Sequence, residues 1–310
     1  MATAEASQSR LAYVAEATIG TTPATPTFKT VRLTSEGIRF TKQTVISDEV
    51  RADGNVGGII DVGRGVEGPI AFELSYGSFD DFLESVFRST WATNVLKNGI
   101  THKSFTIEKT FEQGTTDAFL RYRGVEMTTL DLNLESRQLV KGSFGVMGLG
   151  SPTPTTEIIS GATYSAPGTE PVLNAATNIG ALTVGGITAS PKIKSMSLQF
   201  RSNLYQNDVV GSYDIDSLGL GRFEVSGNMS VYFADLDTYN AILNHDDVSL
   251  TVTIGAATTK KYTISLPKLK LMEGSPVIGG NSQSVMMDVP FQAYYDSGIG
   301  ATAQITRAVA

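Results

Sequence analysis

Val66-Glu67-Gly68-Pro69-Ile70-Ala71-Phe72-Glu73-Leu74 puts Val66, Gly68, Ile70, Phe72 and Leu74 on one parity and Glu67, Pro69, Ala71 and Glu73 on the other. The first parity is almost wholly apolar and the second mostly polar or small, the pattern of a strand with one dry face. Directly after it, Phe79, Phe82, Leu83, Val86 and Phe87 fall at i, i+3, i+4, i+7 and i+8, one stripe of a helix. Ser78 stands ahead as the expected N-cap, and Asp80 and Asp81 suit the positive end of the helix dipole. A helix this short is stable only when it packs on a sheet.

The rest of the chain has the same texture. Phe105, Ile107 and Phe111 alternate with Thr106, Glu108 and Thr110, with Lys109 interrupting the apolar side. Leu130, Leu132 and Leu134 alternate with Asp131, Asn133 and Glu135. These runs predict sheets with one face dry and one wet. The order of elements also occurs twice. Val225-Ser226-Gly227-Asn228-Met229-Ser230-Val231-Tyr232-Phe233 runs into a second helical stripe, Leu236, Tyr239, Ile242 and Leu243, behind Asp235. Val66 and Val225 stand 159 positions apart, as do Gly68 and Gly227, and the helix pairs Phe82/Ile242 and Leu83/Leu243 stand 160 apart. The reading is an internal duplication. Residues 1–34 form an N-terminal arm, 35–150 a first domain, 151–190 an extended Pro/Thr/Gly/Ala linker, and 191–310 a second domain with a C-terminal tail.

Composition removes whole classes of function. The 310 residues include no cysteine, which excludes disulfides, thiolate metal sites and a cysteine nucleophile. The net charge of −7 opposes specific binding of nucleic acid through its phosphates. No apolar run approaches the roughly 20 residues of a membrane-crossing helix, so no membrane insertion is expected. Met1–Glu5 lacks the basic start and apolar core of a secretory signal. His102 and His245 read as solvated loop residues, with no His-x-x-x-His or carboxylate–histidine cluster. Gly145–Gly150 and Leu218–Arg222 are glycine-containing, yet neither leads into a helix that would cradle phosphate. Asp80-Asp81 reads as a helix start and Asp246-Asp247 as a loop pair, not as a glycosidase couple or a calcium loop. No catalytic constellation is present, so no enzyme activity and no cofactor are expected.

An open sheet has two unpaired edges, and natural proteins cap, charge or close them. Joining edges between neighbours until the sheet closes into a ring removes them altogether. An acidic face lining such a ring would repel a polyanion inside it instead of trapping it.

The stretch Phe40–Gly54, which includes Ser47-Asp48-Glu49-Val50-Arg51-Ala52-Asp53-Gly54, and the stretch Gly68–Glu84 resemble the tail tube (major tail) protein family of long-tailed, non-contractile bacteriophages. The second half is similar through Gly219-Leu220-Gly221-Arg222-Phe223 and Met287–Ala293. Together the similar regions span about residues 35–150 and 190–297. The resemblance implies an all-β fold with minor α: two tandem tube-like β-sandwich domains, each with one short flanking helix, whose inner strands join into a closed barrel in a ring. It implies a virion tail component assembled in the host cytoplasm, which stacks as rings into a conduit for DNA. Its partners would be itself, the tape measure protein and other tail proteins, with passing DNA contacted non-specifically. Members with one tube domain form six-subunit rings. A duplicated chain would make the ring from three copies, with a hexamer as the alternative. The loop from Asp48 to Gly58, carrying Asp48, Glu49, Arg51 and Asp53, and the loop from Asp208 to Gly219, carrying Asp208, Asp214 and Asp216, would reach the adjacent ring. Glu67, Glu73, Asp131, Asn133 and Glu135 are the candidates for the lumen or another wet face. Two rival readings are another phage structural β domain (baseplate or decoration) and a surface carbohydrate-binding β-sandwich using Tyr122, Tyr205 and Tyr232.

Overall fold

The computed structural model describes residues 3–114, 116–187, 190–257 and 259–308. The chain opens with β1 (Ser9–Ala15), β2 (Thr27–Thr30), β3 (Ser35–Glu36), β4 (Arg39–Ile46) and β5 (Ile59–Glu73), and β5 leads into α1 (Asp80–Phe87). β6 (Val95–Lys97), β7 (Phe105–Phe111), β8 (Ala118–Glu135) and β9 (Lys141–Thr155) follow, then β10 (Thr163–Ser165) and β11 (Ile179–Gly185). The remainder holds β12 (Ile193–Arg201), β13 (Tyr205–Asn207), β14 (Ser217–Gly219), β15 (Glu224–Tyr232), α2 (Asp237–Asn244), β16 (Val248–Ala257), β17 (Lys260–Leu271), β18 (Met286–Ala293) and β19 (Gln304–Ala308). The fold is all-β with two short helices, and no helix is long and apolar enough to cross a membrane.

In the first half the antiparallel pairings run β4–β5–β9–β8–β7, with β1 beyond β7. In the second half they run β12–β15–β18–β17–β16, with β11 beyond β16. Val66 lies between Phe40 and Gly148, and Val225 lies between Phe200 and Ala293. β8 also pairs with β12, setting Leu130, Leu132 and Leu134 opposite Phe200, Leu198 and Met196. β4, β5, β9, β8, β12, β15 and β18 are therefore neighbours in one unbroken series. β19 closes a second connection, with Ile305 opposite both Ile264 of β17 and Leu96 of β6.

The alternating apolar positions build the core. Ile70, Phe72, Leu130, Leu132, Leu134 and Phe144 are buried, and α1 lies on this dry side with Phe82, Leu83, Val86 and Phe87 buried. Phe72 meets Phe79 at 4.4 Å and Phe144 at 4.8 Å between ring centroids, and Phe82 meets Tyr13, Phe105 and Phe144 at 4.5 to 5.4 Å. Burying each such ring contributes about 1.5–3 kcal/mol.

Several local expectations are corrected. Phe79, not Ser78, is the N-cap of α1, and the Ser78 hydroxyl is hydrogen-bonded to that of Ser75. The helices begin at Asp80 and Asp237, 157 positions apart, three short of the 160 that separate the paired stripe residues. The stripe of α2 finds less cover than that of α1: only Thr238 and Ala241 are buried, and Leu236 and Leu243 are exposed. β7 has no wet face. Thr106, Glu108 and Thr110 are buried because residues on both sides of the strand fold over them. Glu16 accepts from Thr106, while Glu108 accepts from Arg121 and from Tyr164 of β10. The described residues of the segment 151–190 lie along the body. Tyr164 sits beside Phe28 on the parallel neighbour β2, and buried Leu173 donates its N–H to Leu74 and accepts from Val140.

Candidate assembly surfaces

The register of the long sheet gathers the predicted wet residues on one face. Three rows cross it from strand to strand. The first is Ala71–Ser143–Asp131–Gln199–Ser226–Gln292. The second is Glu73–Lys141–Asn133–Ser197–Asn228–Pro290, and the third is Glu135–Ser195–Ser230–Asp288. Glu67 lies on the same parity of β5, paired with Arg39 at 2.6 Å across the β4 edge. All five predicted residues thus share one surface. Directly opposite residues in an antiparallel pair point to the same side, so the buried Leu130, Leu132, Phe200, Met229 and Phe291 line the reverse.

The face is acid-rich. From β4 to β18, Glu67, Glu73, Asp131, Glu135, Glu224 and Asp288 stand against Arg39, Lys141 and Arg201, and on β17 Lys270 follows opposite Gln292, paired with Asp247. Partial burial pushes the Asp131 carboxyl above its ordinary range, and the charge of nearby Arg201 opposes that shift. The extension over β12, β15 and β18 was missed in the sequence. Its signal was present in Ser195, Ser197 and Gln199 alternating with Met196, Leu198 and Phe200.

The two predicted loops differ in shape. β4 and β5 extend beyond the body as a hairpin, with Ser47 donating to the Gly58 carbonyl at 3.0 Å near its tip. Asp48, Glu49, Arg51 and Asp53 are exposed there. The Arg51 guanidinium grips both Asp53 oxygens, at 3.0 and 2.8 Å, and holds that carboxyl down to about 2. Around these charges stand exposed Val45, Ile46, Val56, Ile59 and Ile60, and Val50 at 97% exposure. The charges mark this stretch as a loop in the sequence; the exposure of the apolar side chains among them shows only in the fold.

The second loop folds back. Asp208, Asp214 and Asp216 are exposed, but Ile215 between them and Leu218 just after them are buried in a small cluster with Leu204, packed against Met147 and Leu149. The Tyr213 carbonyl accepts the Arg64 N–H at 2.8 Å, which places Asp214 beside β5. The structure therefore brings this loop to the base of the β4–β5 hairpin, not to its tip.

His102 is not a solvated loop residue. Its Nδ1 lies 2.9 Å from Oε1 of Glu126, a carboxylate 1% exposed whose burial pushes it above the ordinary range, opposed by His102. The pairing was invisible because β8 and the residues before β7 meet only in three dimensions. His245 is an exposed residue in the left-handed cap position of α2. Among the described residues, no group of three His, Asp or Glu side chains is placed to hold a metal ion.

A family model described as phage tail tube protein matches residues 6–293. No curated protein matches the chain.

Proposed function

Since the chain belongs to the phage tail tube protein family, whose members are structural components of the virion tail, we propose that it stacks as rings into the hollow conduit through which DNA enters the host. The observation that carries this reading is the acid-rich polar face running without a break over both halves of the sheet, backed throughout by core. Turned inward, such a face keeps a polyanion mobile.

The matched pairing orders of the two halves support an internal duplication of the tube domain. They favour a ring of three copies, with six as the alternative. Each copy then offers β4, β5, β9, β8, β12, β15, β18 and β17 to one barrel. The β4–β5 hairpin reaches the adjacent ring, and the folded-back loop 208–219 stiffens its base. Tape measure protein and other tail proteins are the remaining partners, met in the host cytoplasm during assembly.

Negative-stain microscopy of the purified chain tests the conduit, with hollow rings or tubes expected and compact monomers at high concentration counting against it. The lumen is tested by Glu135→Lys with Asp288→Lys, two exposed positions in one row. Tails of normal length are expected, with genome delivery per particle reduced about tenfold or more as lysines hold passing phosphates. Normal delivery through intact tails would move this face to the outside.

A further inference from the structure

The seam between the halves leaves two unused surfaces of the same design at its outer ends. Beside β15, β12 sets Ser195 opposite Ser230 and Phe200 opposite Val225. Beside β5, the same places are taken by Ser35 of β3, opposite Ala71, and Phe40 of β4, opposite Val66. The other side of β12 is filled by β8. Among the described residues no strand fills the other side of β3 and β4.

The counterpart of β8 also has a free side. Gly68 faces Val146 and Gly227 faces Phe291, so Gly145 corresponds to Pro290 and Lys141 to Met286. Thr129 and Asn133 of β8 lie opposite Gly145 and Lys141. In the second half, Met272 donates its N–H to Pro290 at 2.9 Å, and Val277 bridges to Met286. Residues 272–278 thus hold the place of residues 129–134, with one extra residue. Among the described residues nothing pairs with their outer side, and Met272, Val277 and Ile278 are exposed, the last at 86%.

We propose that residues 272–278 of one copy add to the β3–β4 edge of a second copy as an antiparallel strand, with Met272 beside Thr41 and Val277 beside Gly37. The contact repeats between chains what β8 and β12 do within one, and it rests on the reading of the chain as a ring-forming subunit. Strand addition of this kind draws affinity from main-chain hydrogen bonds and specificity from alternate side chains. The helices supply an independent match. At the internal seam Phe87 of α1 packs on Phe200 at 5.3 Å and on Phe223 at 5.5 Å. Phe40, which holds the place of Phe200, is exposed, and so is Leu243 of α2, at 65%, one residue before the position that matches Phe87 when the helix starts are aligned. The second copy brings these two surfaces together.

The free chain protects this edge. The Ile38 N–H donates to the Glu36 carboxylate at 3.0 Å, and its carbonyl accepts from the Lys109 ammonium at 2.6 Å. Glu36 and Lys109 are themselves paired at 2.6 Å. Charged side chains on an open strand discourage indiscriminate pairing. The incoming strand takes over the Ile38 groups.

The chain has no cysteine, so an engineered pair reads the seam directly. Full-length chains carrying only Thr41→Cys are mixed with chains carrying only Met272→Cys, assembled, oxidised and run without reductant. Disulfide-linked dimers are expected from up to half of the chains, the share that random mixing around a ring allows, and at least tenfold above a mixture of Thr41→Cys with Glu273→Cys, whose side chain points to the opposite face. Thr129→Cys with Arg201→Cys in one chain, across the same position of the internal seam, reports oxidation efficiency and a native fold. Rings or tubes in the microscope without the Thr41–Met272 link would overturn the seam and leave the conduit standing. Chains that oxidise at the internal pair yet form neither assemblies nor dimers overturn both, and dimers without rings or tubes uphold the seam and sink the conduit.

Discussion

Gly68→Ala is expected to destabilise the folded chain by about 2–5 kcal/mol, the sum of backbone strain and overpacking. Gly68 has φ +147°, a conformation that side chains rarely adopt. A Cβ at this position would come within 2.6 Å of the Gly37 carbonyl carbon and 2.7 Å of the Ile38 Cα, and closer still to the Gly37 oxygen. These are main-chain atoms, so no rotamer change relieves the clash. Gly37 donates its N–H to the Pro69 carbonyl at 2.8 Å, so a backbone shift that makes room strains that bond. The preceding-proline position narrows the backbone further. In a protein of this size the loss corresponds to a melting temperature roughly 3–8 °C lower. Gly77→Ala is the control. Gly77 also has positive φ, but nothing lies within 4 Å of its added Cβ, so only strain of about 1 kcal/mol is expected. Thermal unfolding of both variants decides the matter: equal melting temperatures would show that the β5 crossing is looser than its geometry requires.

Gly68 also shows what one sequence reveals. Its partner by spacing is Gly227, where an added Cβ would run into the Ser197 carbonyl oxygen, the main chain of the neighbouring strand. The repeated glycine was legible as a repeat, and its cause, the close approach of the neighbouring strand's main chain, was not. Parity was legible where a strand meets solvent on one side, as at Leu130, Leu132 and Leu134 against Asp131, Asn133 and Glu135. It misled at β7, because the cover over Glu108 comes from Arg121 and from Tyr164, 56 residues away. The β1 strand was read as part of an arm, although Leu11 and Tyr13 are buried between β7 and β2. Among the site residues, the wet face followed from alternation alone, while its continuation onto β12 depended on a pairing that no local pattern encodes.

Replacing residues 48–57 by Asn-Gly is expected to leave the monomer folded and to abolish infective tails. Ser47 and Gly58 are already hydrogen-bonded, so the cut ends face one another across the ladder, and Asn-Gly supplies the tight turn that suits the strand twist. The charged contacts removed are local: Arg51 with Asp53, and Asp53 with the Asn55 N–H. Exposed positions of this kind typically contribute within about 0.5 kcal/mol each, and the melting temperature should barely move. Assembly is another matter. Val50 and Val56 contribute nothing to the core of the free chain, whereas burial in a neighbouring ring would gain about 1.5–3 kcal/mol for each. The gain recurs in every copy around the ring, so losing it turns a stable stack into separate rings. Microscopy of the variant should show rings without tubes, and complementation of a phage lacking its own copy should yield no plaques. Tubes of ordinary length from this variant would assign the exposed valines to some other contact and leave ring stacking to the body of the sheet. Rings missing as well as tubes would instead make the hairpin part of the lateral contact, because β4 is the strand whose free edge would take the next copy in the proposed seam.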